Sequence, residues 1–212
     1  MKKISEIRTD YTKFSINEFG LKANALDQFK DWFNYAVKSN VTEVNAMVLS
    51  TVSGIGIPSA RVLLLKGIEE DGFTFFTNYH SSKGRDLEVN PNGCLTFFWP
   101  ELEQQIRITG LVTKIDKTLS EAYFYSRPHG SQVSALASEQ SSVVSRREDL
   151  TNEVERIEEL YKNEKIPMPD NWGGYILKPN AIEFWQGRSS RLHDRFLYEK
   201  VDGTWNISRL AP

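Results

Sequence analysis

The sequence predicts a mainly β fold, a barrel of antiparallel strands with helices packed around it. Three observations carry this reading. Runs rich in β-branched and aromatic residues recur at close spacing, at 46–52, 61–68, 73–77, 94–99 and 104–115. The hairpin dipeptides Asp71-Gly72 and Asp202-Gly203 join neighbouring runs. The strands do not alternate regularly with crossover helices as a parallel sheet requires, and short antiparallel strands of this kind close into a barrel. The length of 212 residues suits a single large domain over 21–212, preceded by an arm over 1–20.

The elements follow in chain order. Residues 1–20 are polar with scattered aromatics (Tyr11, Phe14, Phe19) and read as a loosely ordered arm. Residues 24–38 place Ala25, Leu26, Phe29, Trp32, Phe33 and Val37 at helical spacing, with Asn24 as N-cap. After the strand at 46–52, residues 53–58 form a turn. A helix at 82–89 ends at Asn90-Pro91-Asn92-Gly93, and another at 118–126 is stopped by Pro128. Residues 140–165 read as a mostly helical, charged segment whose inner stripe includes Val143, Val144, Leu150, Val154, Ile157 and Leu160. Strands return at 174–177, 181–186, 195–201 and 204–210. There is no internal repeat and no low-complexity linker.

Composition excludes several classes. A net charge of −2 leaves no global basic field for nucleic acid. The single cysteine, Cys94, sits in an apolar run and reads as a small buried hydrophobe, so neither a disulfide framework nor a zinc cluster is expected within the chain. His80, His129 and His193 are too dispersed to suggest a metal site. The Met-Lys-Lys start lacks a following apolar stretch, and no run of about 18 apolar residues occurs, so a soluble cytoplasmic protein without membrane contact is expected. Gly54-Ile55-Gly56 leads into Pro58 and a strand, which is the wrong context for a dinucleotide fingerprint.

What remains is a set of cations and hydroxyls. Arg61 and Lys66 bracket an apolar strand. Five residues separate them by roughly 16 Å on opposite faces, so they can serve two anions or simply reach solvent at the strand ends. Tyr123 and Arg127 share a helix face and Ser131 follows the break at Pro128. Phenol, guanidinium fork and hydroxyl together suit a phosphate, although Arg127 also fits an ordinary helix-terminal cation. If 191–195 is extended, Arg191, His193 and Arg195 share one face. Two guanidiniums beside an imidazole suit an anionic or electron-rich ligand among them, the other reading being a solvated strand face. Trp185 lies nearby as a flat stacking surface or a core residue.

Residues 182–195, Ile182-Glu183-Phe184-Trp185-Gln186 followed after four residues by Arg191-Leu192-His193-Asp194-Arg195, resemble the signature of the pyridoxamine 5′-phosphate oxidase family. The resemblance spans nearly the whole chain and takes in 8–11, 61–66, 76–78, 104–105, 123–131, 172–175 and 209–212. It implies an FMN-binding split β-barrel and a homodimer with FMN at the interface. By resemblance, Arg61, Val62, Leu63, Leu64, Leu65, Lys66, Phe76, Thr77, Lys83, Gln105, Gln140, Ser141, Trp185 and Arg195 match FMN contacts. Lys66, Tyr123, Arg127 and Ser131 match the cradle for the substrate's 5′-phosphate, and Arg191 and His193 match the catalytic pair over the pyridine ring. Arg8 and Tyr11 match an arm that approaches the substrate. The implied reaction is oxidation of pyridoxamine or pyridoxine 5′-phosphate to pyridoxal 5′-phosphate, with O2 as acceptor.

Two departures stand out. Ser82-Lys83 occupies the place where the family often has Arg-Lys at the FMN phosphate. Ser82 still supplies a hydrogen bond there but no charge, which leaves open weaker FMN binding or compensation by Arg85. Glu43-Val44-Asn45 replaces a pattern in which proline commonly follows the acidic residue, and Glu43 receives no catalytic role. The alternatives are a non-catalytic flavin or pyridoxal-phosphate carrier on the same fold, and a split-barrel flavin reductase with a nicotinamide donor. The latter has little use for the phosphate cradle.

Overall fold

The computed structural model describes residues 3–7, 9–17 and 20–212. Backbone amides help tie the arm to the body. The Lys13 amide donates to Glu103 Oε2 (3.0 Å) and the Ile16 amide to Asp194 Oδ2 (3.1 Å). Helix α1 (Ala25–Lys38) starts where the Asn24 side chain accepts from the Leu26 amide (2.8 Å) and ends before Asn40, whose φ of 54° is the left-handed conformation common after helices.

Nine strands form one antiparallel sheet among the described residues: β1 (Ala46–Val52), β2 (Pro58–Leu64), β3 (Gly67–Ile68), β4 (Phe73–Asn78), β5 (Asn92–Trp99), β6 (Gln104–Lys114), β7 (Trp172–Gln186), β8 (Asp194–Val201) and β9 (Thr204–Arg209). The order is β2-β1-β5-β6-β7-β4-β3, with β8 also paired to β7 and β9 to β8. The expected strand at 61–68 is in fact two. The Leu65 amide donates to Asn45 O (2.8 Å) and the next amide, Lys66, donates to Thr74 O (2.8 Å). The chain therefore changes partner from β1 to β4 within one residue, and the two edges of the sheet adjoin at Leu65-Lys66. This is how a split barrel is sealed without a closed ladder.

The barrel interior is apolar. Leu49, Phe75, Leu95, Phe97, Ile106, Ile108, Ile182 and Phe184 are fully buried in one cluster. Helix α1 plugs it. Phe29 meets Phe73 (centroids 4.8 Å) and Phe97 (5.2 Å) edge to face, and Trp32 meets Phe184 in the same way (5.2 Å). Phe29→Ala opens a cavity where a ring touched two strands. It is expected to cost about 3–5 kcal/mol, seen as a fall in urea midpoint at unchanged slope. A loss under about 1 kcal/mol would mean that α1 is not part of the cooperative core.

The sequence and the structure differ elsewhere. Residues 174–177 and 181–186 belong to one strand, β7. Pro179, which has no amide to give, sits opposite Gly110 where the β6–β7 register shifts. A Cβ on Gly110 would lie 2.1 Å from Lys178 O, so this crossing requires glycine. Asn92 and Gly93, expected in a turn, open β5, and Cys94 is half-buried rather than buried.

Helix α2 (Ser82–Val89) matches expectation. Helix α3 (Lys117–Ser126) is followed by an unexpected helix α4 (His129–Ala137) starting just after Pro128. The helix expected over 140–165 is only α5 (Arg147–Leu160). Residues 140 and 141 are drawn away by bonds to β4 and α2, and Ser141 takes a φ of 74°. Of the stripe assigned to this segment, Ile157 is buried and Val154 packs partly, whereas Val143, Val144, Leu150 and Leu160 are exposed. Among the described residues no helix is long and apolar enough to cross a membrane.

Candidate active site

A cavity of about 640 Å³ opens between β2, β4, the start of β7 and helices α3 and α4. Lys66, Tyr123, Arg127 and Ser131 all line it, so the structure brings these four residues to one cavity. Its foundation is aromatic. Tyr123 stacks on Phe76 (centroids 3.9 Å, interplanar 22°), and Phe76 stacks on Trp172 (5.6 Å). The Arg127 guanidinium lies 4.8 Å from the Trp172 ring centre. Burial pushes the Arg127 pKa below its usual value, and Nη1 is buried with no hydrogen-bond partner. A buried guanidinium donor without an acceptor is costly in the free protein and suits an incoming anion. Trp172 carries this arrangement. It falls within the region of resemblance but the sequence gives it no role, because its distance from Arg127 along the chain hides the contact.

The other side of the cavity is built from Val62, Leu63 and Leu64 of β2, with Phe76, Thr77 and Gln140. Strand β2 is a sheet edge, so alternate backbone groups along it face away from β1. Below it, Lys83 is buried and its Nζ donates to Gln140 Oε1 (2.9 Å), Ser81 Oγ (2.9 Å) and Thr77 Oγ1 (3.1 Å). All three partners are neutral. Burial first, and the positive charge of Arg61 second, hold the Lys83 pKa down to about 8. The Ser82 amide donates to Ser141 Oγ (3.2 Å). Arg61 reaches back over β1 to Leu49 O (3.2 Å), Thr51 Oγ1 (2.7 Å) and Ser59 Oγ, and burial lowers its pKa against the raising effect of Asp86. Thus Arg61, Thr77, Ser82, Lys83, Gln140 and Ser141 form one electropositive cluster. Leu65 is buried in the core at the partner switch.

The remaining candidates stand apart. Gln105, Trp185 and Arg195 are directly opposite one another on β6, β7 and β8 and so share a sheet face. Arg195 Nε donates to Glu183 Oε1 (2.7 Å) and Nη1 to Ala211 O (2.8 Å). The carboxylate raises the Arg195 pKa. Glu183 is itself buried. Its Oε2 lies 2.9 Å from Arg107 Nη2, an ion pair without hydrogen-bond alignment. Glu183 stands in the signature without an assigned function. It fixes Arg195, which its position two residues before Trp185 on the same face allows.

His193 packs 4.6 Å from Trp185, and Tyr11 closes the group at 5.7 Å from Trp185 and 6.0 Å from His193. Tyr11 lies directly on Gly187, where a Cβ would sit 2.6 Å from its ring. The expected extended run at 191–195 is absent. Ser190 (φ 55°) and Arg191 (φ 62°) are left-handed in a tight turn, and β8 begins only at Asp194. The period-2 alignment of Arg191, His193 and Arg195 therefore fails. A turn whose backbone is strained at two consecutive non-glycine residues instead carries Arg191 into solvent. Among the described residues Arg191 has no bonded partner. Arg8 lies outside the described residues.

Trp172 and Trp185 occupy opposite ends of β7, roughly 40 Å of strand path apart. The chain thus presents two separate groups of candidate residues: the cavity of Lys66, Tyr123, Arg127 and Ser131 with a cationic cluster at one end, and an aromatic, cation-bearing face at the other.

Residues 33–161 match the family model described as pyridoxamine 5′-phosphate oxidase, and residues 172–212 match the model described as the pyridoxine 5′-phosphate oxidase C-terminal dimerisation region. The chain belongs to the pyridoxamine 5′-phosphate oxidase family. A pyridoxine/pyridoxamine 5′-phosphate oxidase of Leptospira interrogans is 50% identical over 211 residues, 99% of each chain. The protein of that name from Acaryochloris marina is 48% identical over 209 residues, 99% of this chain and 95% of its own. PhzG from Burkholderia lata, solved with tetrahydrophenazine-1-carboxylic acid, superposes with a TM-score of 0.89 at 28% identity, covering 95% of this chain and 99% of its own. These family members span the arm, the barrel and the C-terminal strands, so the split-barrel fold belongs to the whole chain.

Proposed function

We propose that the chain is an FMN-dependent oxidase that converts pyridoxamine 5′-phosphate and pyridoxine 5′-phosphate to pyridoxal 5′-phosphate, in vitamin B6 biosynthesis and salvage. The observation that carries this is the unpartnered, buried Arg127 Nη1 in a cavity also lined by Lys66, Tyr123 and Ser131. A phosphate monoester dianion matches that donor set. FMN fits the second cluster. Lys83 is a buried ammonium with neutral bonded partners and a second cation, Arg61, close enough to lower its pKa. Such a pocket favours an anion, and the free edge of β2 beside it offers backbone groups to a planar ring.

Within this reading the working unit is a homodimer with FMN at the interface, because one chain holds its two half-sites at opposite ends of β7. The cradle fixes the substrate by its phosphate, and positioning supplies much of the rate. Arg191 and His193 orient the pyridine ring. His193 Nδ1 accepts from the Arg188 amide (3.1 Å), so the neutral imidazole carries its proton on Nε2 and presents a donor. Arg191 serves in orientation, since a guanidinium is a poor general base. Arg195, held by Glu183, places positive charge near the flavin. When bound, FMN supplies the two-electron acceptor and O2 takes the electrons onward as H2O2. With the amine substrate, two-electron oxidation leaves an imine, and water converts it to the aldehyde and NH3.

The test is anaerobic mixing of FMN-loaded protein with pyridoxamine 5′-phosphate while following visible flavin absorbance. Bleaching, then recovery with appearance of pyridoxal 5′-phosphate on admitting air, is expected. A flavin that stays oxidised with both phosphorylated vitamers would sink the proposal.

Lys83 sets a pH dependence. Its pKa in the free protein is about 8, below the 10.5 of an ordinary lysine, and an adjacent phosphate favours the charged form. FMN binding above pH 8 therefore requires proton uptake. Affinity is expected to hold to about pH 8 and then fall by up to about tenfold per pH unit. Titrations of Lys83→Ala should give weaker binding without that fall. An equal fall in the variant would remove Lys83 as its cause.

A further inference from the structure

Arg85 sits one helical turn beyond Ser82 on α2, and its guanidinium folds back over the start of the helix. Nη1 donates to His80 O, and Nη2 lies 3.4 Å from Ser82 Oγ. The neighbouring carboxylate, Asp86, is turned elsewhere and accepts from Thr51 Oγ1 (2.7 Å). Among the described residues Arg85 has no carboxylate partner. It lies instead at the Ser82 hydroxyl, whose own residue's amide donates to Ser141 Oγ, and the next residue, Lys83, is buried among neutral oxygens. Arg61 adds positive charge from β2. Lys83 and Arg61 thus form one pair of like charges, with Lys83 depressed by its neighbour, and Arg85 reaches the start of α2 from the Ser82 side. An exposed arginine is normally free to swing away from such a field. Here its fork is held at two points over the turn, at His80 O and Ser82 Oγ, whereas Lys83 uses the hydroxyls of Ser81 and Thr77.

The hydrogen-bond direction is informative. Arg85 can only donate, so Ser82 Oγ accepts from it, and the Ser82 hydroxyl proton is left to point to a third group. An acceptor-only group placed over the turn would take that proton and a guanidinium N–H from Arg85 together.

We propose that Arg85 is a phosphate ligand of the flavin site, supplying with Lys83 the second positive charge that Ser82 lacks. This rests on the FMN reading given above. It makes Arg85 the residue that discriminates FMN from unphosphorylated riboflavin, with Ser82 as the relay that keeps the guanidinium over the helix start.

The experiment measures dissociation constants of FMN and riboflavin for apoprotein by quenching of flavin fluorescence, at two salt concentrations. The proteins are wild type, Arg85→Ala, and the Arg85→Ala chain carrying Ser82→Arg. Arg85→Ala should weaken FMN by about tenfold or more, the scale of one charge-assisted bond, and leave riboflavin unchanged. Its FMN affinity should also depend less steeply on salt. Ser82→Arg in that background should recover most of the loss, which a merely structural role for Arg85 does not explain. Unchanged FMN affinity in Arg85→Ala, or equal weakening of FMN and riboflavin, would overturn the proposal. A wild-type protein that binds FMN no better than riboflavin would overturn it too, but through failure of the FMN reading itself, a result that the wild type alone reveals.

Discussion

Arg127→Ala is expected to raise KM for pyridoxamine 5′-phosphate by about a hundredfold while leaving FMN affinity unchanged. The guanidinium stacks on Trp172 and its Nη1 is buried without a partner, so in the free protein it already bears a desolvation cost. The phosphate relieves that cost. Removing one member of a buried, hydrogen-bonded charge pair loses about 2–5 kcal/mol, and about 3 kcal/mol corresponds to roughly two orders of magnitude. The same logic predicts that the free protein barely suffers. Deleting an unsatisfied buried cation offsets the lost stacking, so the melting temperature without ligand should move little. The shift induced by pyridoxal 5′-phosphate should largely disappear. Turnover of unphosphorylated pyridoxamine, which never engages the cradle, should be the same in both proteins. A variant that weakens both substrates equally would place Arg127 in general folding of the α3–α4 corner instead.

Much of this site is legible in the sequence because its signals are local. Tyr123, Arg127 and Ser131 lie within nine residues, and helix geometry plus a proline break brings them together. The Asp-Gly hairpins and the apolar spacing of α1 are equally short-range. The features that the sequence hides depend on distant partners. Nothing in 61–68 indicates that consecutive amides at Leu65 and Lys66 bond to different strands. Pro179 looks like a strand end until Gly110 is seen opposite it, absorbing the register shift. Helix α4 is short and rich in Ser, Gly and Ala, so its pattern is weak, and its buried Val133 has meaning only against Phe124 and Trp172. The turn at Ser190-Arg191 violates ordinary backbone preference, which is why pattern alone favours an extended 191–195. The roles of Trp172 and Glu183 are tertiary: each is defined by an arginine it holds.

The separation of the half-sites leads to the second large effect. Arg127→Ala and Arg191→Met chains should each form nearly inactive homodimers. The first loses the grip on phosphate, and the second loses ring orientation while keeping its FMN. A heterodimer of the two, isolated by different affinity tags, should recover about half of wild-type activity. In the proposed two-fold dimer each site would draw its cradle from one protomer and its Arg191-bearing turn from the other. One of the two sites then carries both substitutions and the other carries neither. If a single chain supplied both groups to one site, every site in the heterodimer would be damaged and no activity would return. The structure favours recovery, because Trp172, which supports Arg127, and Trp185, which packs on His193, stand at opposite ends of a strand 15 residues long. No rearrangement short of breaking the β6–β7 ladder brings those ends of one chain together, since Gln105 and Gln104 pair with one end of β7 while Lys114 pairs near the other. On the proposed reading a second copy closes the active site, and the heterodimer measures that closure directly.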